Sequence, residues 1–464
     1  MFELNKRLRI WYKRKSGGRD VLRLAIPIIL SYGSMTVMTI TDRLCLAWYG
    51  ETEMNAAFQA GCLFWCFLFF PQGIGVFVNT FVSQYFGAEQ KRKIGLIVWQ
   101  GVFLGLTLGM FFVFATPFVS PFFKMVGQSD ELAALELDYW LYMTPGAIAT
   151  LGLEPFVSFF NGIRESKIVM KVTALGFVIN MVLDPLLIFG IGGHLRWGVA
   201  GASIATSIAI CAKLAVFAWY AYKRDANGEF GLRSSIRVDF HEMKRLVKYG
   251  SMSAVQTSAE HWFYTIFVLT MGWIGEAASC ATAIAYNLNA LLYMPAVGFG
   301  LATAALVGNR MGEGRPKLAA RATYTSLALS SVIAGVFSIL FLTCPSFFVD
   351  LYTARNPEQY VEVRPIAINI LRIVGVYLLF DAYNLITASA LRGAGDAKFI
   401  MNTTLCVVAI ILTALYVGVF RCGLGVYWCW SLQVAFLVMS VAVFATRFKM
   451  GKWRDKALVE VATR

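Results

Sequence analysis

Uninterrupted apolar runs, each about as long as a helix needs to cross a bilayer core, recur from one end of the chain to the other with only short polar breaks between them. In hydrocarbon no water can bond an exposed backbone amide, so a spanning segment must close its own hydrogen bonds as a helix or share them in a closed barrel. These runs are too long and continuous for the short alternating strands of a barrel. The expected fold is therefore an all-α polytopic membrane protein. Twelve spans are expected: 22–48, 55–85, 94–122, 132–160, 168–192 and 198–222, then 246–271, 277–307, 318–348, 364–390, 398–419 and 424–446. The composition agrees, with 58% hydrophobic and only 15% charged residues.

A net charge of +14 would suit nucleic-acid binding if it were gathered in one domain. Instead Lys and Arg sit in alternate breaks: the N-terminus, 89–93, 164–167, 223–248, 310–317, 392–398 and the C-terminal stretch. The intervening breaks, such as "GETEM" at 50–54 and "GQSDELAALELD" at 127–138, are neutral or acidic. The positive-inside rule then puts both termini in the cytoplasm of a plasma-membrane protein (the inner membrane in a Gram-negative cell). The first run is too long for a cleaved signal peptide and is kept as helix one. Nine cysteines without a CxxC pair read as packing residues, and His194, His241 and His261 are too scattered for a metal cluster. No phosphate-binding GxxxxGK[ST] loop occurs, so ATP is not the expected energy source, and no nucleophile or metal constellation suggests an enzyme. No cofactor is expected.

The chain also reads as a duplication. Shifting "PQGIGVFVNTFVSQYFGAEQKRK" by 225 residues lays Gly73 on Gly298, Gly75 on Gly300, Val82 on Val307, Gln84 on Asn309 and Gly87 on Gly312. A shift of 228 lays Arg164 on Arg392. Six helices per copy give both copies the same membrane orientation, the arrangement of parallel-repeat transporters. The expected division is an N-lobe at 1–226, a cytoplasmic linker at 227–245 and a C-lobe at 246–464.

Ionisable side chains at membrane depth cost roughly 2.5–3.5 kcal/mol each on insertion scales, so each requires a partner, water or a task. Asp42 lies about 12 Å below the outer end of helix one, and Asn180 and Asp184 share one face of helix five. Thr206 sits at a similar depth in helix six. Two carboxylates with amide and hydroxyl oxygens can hold Na⁺ or share a proton. In the second half Gln256, Glu260 and Tyr264 form one stripe of helix seven, and Tyr377 precedes Asp381 by one turn of helix ten. Both of these acids fall near the midplane. Arg43 points away from Asp42 and is near enough to the surface to snorkel, or it meets a second acid, for which Glu154 is the candidate. Tyr286 and Tyr293 suit a cavity for amphiphilic or cationic guests.

On "LAIPIILSYGSMTVMTITD", "FVSQYFGAEQ", "INMVLDPLLIFG", "GVAGASIAT" and "ALRGAGD", in that order, the sequence resembles the multidrug and toxic compound extrusion (MATE) family from about Val21 to Lys449. The resemblance implies two six-helix bundles in a V and a cation-driven antiporter, monomeric in the lipid bilayer, that exports small amphiphilic or cationic compounds for inward H⁺ or Na⁺. It implies Asp42, Asn180, Asp184 and Thr206 as an N-lobe coupling cluster. Glu260, Tyr377 and Asp381 look like the cation site of the NorM-type branch. Gln256, Tyr264, Arg43, Glu154, Tyr286 and Tyr293 are expected to line the cavity, with Arg43 and Glu154 departing from the family pattern. A flippase for a lipid-linked glycan, related in architecture, is the alternative; it would need a cationic cavity for a pyrophosphate head, and the acids inside the helices argue against it.

Overall fold

The computed structural model describes residues 10–125, 128–190, 196–353 and 361–460, and every regular element among them is helical. In the first half these are α1 (Gly18–Tyr49), α2 (Glu51–Gly87), α3 (Arg92–Met125), α4 (Asp130–Gly162), α5 (Ser166–Ile188) and α6 (Gly198–Arg224). The second half comprises α7 (Phe240–Ile274), α8 (Glu276–Gly312), α9 (Pro316–Thr343), α10 (Pro345–Thr353), α11 (Val363–Ala394), α12 (Ala397–Tyr416) and α13 (Val426–Met450). The nine-residue α10 is too short to cross hydrocarbon, which leaves twelve long helices among the described residues. Among the described residues nine of these are apolar enough to span by composition, and α8 makes ten when its two segments count as one. α4 and α7 are not among them, although they have 33 and 35 residues; α4 carries Glu136, Asp138 and Glu154, and α7 carries Gln256, Glu260 and His261.

Two compact units emerge, and their borders differ from those expected at 226 and 246. One contains Leu30–Val255 with Val459 and Glu460; the other contains residues up to Ile29 with Gln256–Leu458. Each unit therefore includes the opening turns of the helix that begins the other half of the sequence. Close packing explains the choice. A Cβ on Gly73 of α2 would lie 2.8 Å from Ala254 Cα of α7, and one on Gly298 of α8 would lie 2.3 Å from Ile29 Cγ1 of α1. Both contacts are related by the same shift of 225 residues. The expected linker is not a loose tether either: Phe230 and Leu232 are buried, Gly95 N donates to Phe230 O at 2.8 Å, and Trp99 Nε1 donates to Leu232 O at 2.8 Å.

The duplication is visible in the backbone. Glu89 and Gly314 hold the positive-φ position of the turns after α2 and α8, again 225 apart. After α4 and α11 the equivalent positions are Arg164 (φ 67°) and Gly395 (φ 98°), a shift of 231, so the shift of 228 that paired Arg164 with Arg392 is corrected. A sequence match on one arginine was misled by a side chain, whereas the turn is fixed by its hydrogen bonds. Glu165 N donates to Phe160 O at 2.7 Å and Asp396 N to Leu391 O at 3.0 Å, the same closure in both halves. Ion pairs repeat with it: Glu165 meets Arg224 at 2.8 Å, and Asp396 meets Arg447 at 2.8 Å. Packing repeats too, since α4 lies on α2, α3 and α6 while α11 lies on α8, α9 and α13.

Helices in lipid gain nothing hydrophobic from associating, so backbones must approach closely to gain dispersion. α3 does this with glycine at 101, 105 and 109, every fourth residue and hence one stripe. Cβ atoms there would lie 2.9 Å from Pro155 Cγ, 2.3 Å from Leu151 O and 2.9 Å from Ile148 Cα, all on α4. Gly105→Val is expected to lower the unfolding midpoint of the detergent-solubilised protein by several degrees, whereas Gly33→Ala, with open space around its Cβ, leaves it unchanged. Equal midpoints for the two variants would show that the α3–α4 contact does not depend on the stripe.

Candidate cation-coupling site

Three helices of the Leu30–Val255 unit bring the expected first-half residues together. Asn180 Nδ2 on α5 donates to Asp184 Oδ1 at 3.1 Å and to Thr206 Oγ1 on α6 at 3.2 Å. Thr206 Oγ1 in turn donates to Asp42 Oδ2 on α1 at 3.4 Å. The carboxyl groups of Asp42 and Asp184 also lie within hydrogen-bonding range of each other. Asn180 and Asp184 are fully buried. Asp42 Oδ1, Asn180 Oδ1 and Asp184 Oδ2 are buried with no donor among the described residues. Donors are thus exhausted while oxygens remain, which is an arrangement that accepts a small cation or a proton.

The corresponding positions of the second half show that this chemistry is not duplicated with the scaffold. Applying the shifts seen in the helix contacts, turns and ion pairs puts Phe267, Ile411, Leu415 and Cys429 where Asp42, Asn180, Asp184 and Thr206 stand. All four are buried apolar packing residues. Acids occur in both halves, but not at equivalent places.

The second-half residues divide into two groups. Gln256 Nε2 donates to Glu260 Oε1 at 3.0 Å, and Arg392 on α11 donates through its NH2 nitrogen to Gln256 Oε1 at 2.8 Å. Gln256 therefore relays between an acid and a guanidinium that the sequence assigned to a loop; α11 continues past it to Ala394. The other group is aromatic: Tyr264 meets Tyr286 at 4.8 Å, Tyr286 meets Trp430 at 5.1 Å, and Tyr377 stacks on Trp430 at 6.3 Å. Asp381 borders a small recess with Pro295, Ala296, Ser330 and Leu378, and feels the charge of Glu260. No hydrogen bond joins Glu260 directly to Tyr377 or Asp381 among the described residues. Tyr293 is half exposed.

Arg43 and Glu154 do not pair. The Arg43 guanidinium lies over the Phe58 ring at 5.5 Å and is exposed, the snorkelling geometry. Glu154 accepts from Gln72 Nε2 at 2.7 Å and is within electrostatic range of Lys213 and Tyr32. Sequence reading passed over Lys213, although a lysine in the middle of "AICAKLAVFAW" is itself a signal of cost at membrane depth. Glu136 was also missed: it falls inside the expected span 132–160 but in the stretch 127–138 taken as the acidic break before it. It is fully buried in α4, with neither carboxylate oxygen bonded. His194 lies outside the described residues.

A model of the MatE family matches residues 27–186 and again 253–416, once per half. The chain belongs to the MatE family. Its curated relatives include a multidrug resistance protein NorM of Burkholderia vietnamiensis, 25% identical over 93% of each chain. Another, multidrug resistance protein MdtK of Yersinia pestis, is 24% identical over 83% of this chain and 84% of that one. Among solved structures, a MOP superfamily transporter from Pyrococcus furiosus superposes with a TM-score of 0.84 at 20% identity, covering 97% of this chain and 98% of that one. An outward-facing MATE family multidrug resistance transporter gives 0.85 at 19% identity over 96% and 98%. These structural likenesses establish the MATE fold, and the many apolar helices make the chain a multi-pass membrane protein.

Burying a polar group without a partner costs about 1–3 kcal/mol by mutational measures. Glu136→Met, which keeps the volume and drops the carboxyl, is accordingly expected to raise the unfolding midpoint of this MATE protein in detergent. A lowered midpoint would show that the carboxyl has a stabilising partner.

Proposed function

We propose that this protein is a secondary antiporter that exports small amphiphilic or cationic organic compounds in exchange for inward H⁺, by alternating access. The relatives named for multidrug resistance support export as the task. One observation carries the coupling reading: the Asp42 and Asp184 carboxyl groups stand within hydrogen-bonding range of each other, and one oxygen of each lacks a donor. Two carboxylates that close cannot both stay ionised in a low-dielectric site; a direct contact between them needs a shared proton. The same oxygens, joined by Asn180 Oδ1, would serve Na⁺ if it entered between the two acids. A ligand shifts a conformational equilibrium only by binding its two states unequally. Protonation would neutralise the pair and relax the bonds that Thr206 and Asn180 make across α1, α5 and α6. Loop charges favour both termini in the cytoplasm.

Everted vesicles loaded by a pH gradient and, separately, by a Na⁺ gradient test the reading. Dye export should follow the pH gradient. Asp42→Asn and Asp184→Asn should each cut gradient-driven export by more than about tenfold while leaving the unfolding midpoint close to wild type. Normal pumping by Asp42→Asn would remove the pair from coupling, and export driven by Na⁺ alone would reassign the ion.

A further inference from the structure

The C-terminal turn of α6 carries positive charge that no acid of its own unit answers. With 27 residues α6 is about 40 Å long, so it outruns a hydrocarbon layer of about 30 Å and its last turn stands among headgroups. Along one side it exposes Ile208, Cys211, Ala215, Trp219 and Tyr222, spaced three or four residues apart and hence one largely apolar stripe. Toward the far end of the stripe Ile208 and Cys211 border a groove of about 450 Å³ against Leu141, Tyr142 and Pro145 of α4. At the near end Lys223 Nζ lies 5.2 Å from the centre of the Trp219 ring, and the Arg233 guanidinium carbon lies 3.9 Å from that of Tyr222. Both rings are more than half exposed.

Arg233 follows Tyr222 by eleven residues and is brought back to it by a fixed backbone. Buried Asp225 accepts from Phe230 N at 2.7 Å and from Arg233 N at 3.0 Å, and the carbonyl of buried Leu232 is held by Trp99. Arg233 then donates through Nε and its NH2 nitrogen to Tyr222 O at 3.3 and 3.2 Å, which caps an α6 carbonyl. Capping uses two of the five guanidinium hydrogens and leaves three. The nearby acids are committed, Asp225 to those amides and Glu165 and Glu229 to Arg224. Among the described residues neither Lys223 nor Arg233 joins an ion pair.

Two cations at headgroup level, at the foot of an apolar stripe, match a guest with an anionic head and hydrocarbon tails. We propose that Lys223 and Arg233 form a site for an anionic phospholipid, the two cations holding its phosphate and its acyl chains lying along the α6 stripe toward the α4 groove. A zwitterionic lipid fits less well: its choline brings another cation to a place where each ring already carries one and the acids are taken. Lys223 lies seventeen residues, about 25 Å, along α6 from Thr206, so the site stands apart from the coupling cluster and does not rest on the export reading.

The test places the full chain in phosphatidylcholine vesicles with a minority of phosphatidylglycerol and brominates the acyl chains of one lipid at a time to quench tryptophan. In each background the Trp219 signal is the difference from Trp219→Phe, which keeps a ring beside Lys223. Brominated phosphatidylglycerol should quench Trp219 as though enriched about tenfold over its bulk share, while brominated phosphatidylcholine should not exceed its share. Lys223→Gln, a change at an exposed position, should lower the enrichment several-fold, Lys223→Gln with Arg233→Gln should abolish it, and Lys223→Arg should keep it. Should the double variant fail to fold, Lys223→Gln decides. Arg237→Gln removes an exposed cation of the same segment outside the cluster and should change nothing. Equal quenching by the two lipids in wild type, or a loss in Arg237→Gln as large as in Lys223→Gln, would overturn the site in favour of diffuse surface charge. Loss of the enrichment on adding inorganic phosphate at constant ionic strength would overturn it in favour of a site for free phosphate.

Discussion

Water is missing from the hydrocarbon layer, and most of what is seen here follows from that absence. Backbone amides close on themselves as helices because nothing else can accept them. Helices then attract one another only by close contact, which is why glycines at 101, 105 and 109 of α3 face α4 and why Gly73 and Gly298 admit α7 and α1. The same absence makes an unpartnered buried charge costly, as at Glu136, and most buried polar groups have neighbours. Gln256 answers both Glu260 and Arg392, and Asn180 answers Asp184 and Thr206.

Scaffold and chemistry obey different symmetry. Turns, ion pairs and helix contacts repeat between halves with shifts of 223, 225 and 231 residues, down to the pairing of Glu165 with Arg224 and Asp396 with Arg447. Polar side chains at depth do not repeat: the counterparts of the Asp42 cluster are Phe267, Ile411, Leu415 and Cys429. A duplicated frame is retained because packing must hold everywhere, whereas a buried acid is costly and is kept only where it acts. Buried polar groups accordingly differ between the units: two acids, an amide and a hydroxyl on α1, α5 and α6, and an acid, an amide, a guanidinium and aromatic rings on α7, α8 and α11.

Much of this was legible in the residues. Long apolar runs dictated helices, loop charges gave an orientation, and "INMVLDPLLIFG" with "GVAGASIAT" pointed to Asn180, Asp184 and Thr206, which hydrogen bonds join to Asp42. Glu136 was lost because an acidic stretch looks like a loop until its burial is known, and Lys213 because one basic residue in a run of twenty scarcely changes its hydropathy. The supposed partnership of Arg43 and Glu154 failed because helix periodicity gives direction around one axis, not which neighbour stands there.

The sequence by itself determined the class of fold, the number of long helices and the presence of costly polar groups, since each depends on local length and transfer free energy along the chain. Only the tertiary structure decided that the opening turns of α1 and α7 belong with the other half's helices, that Arg392 reaches Gln256, and that Gln72 holds Glu154. Those facts depend on contacts between residues far apart in the chain, and such contacts are set by how side-chain volumes fit in three dimensions.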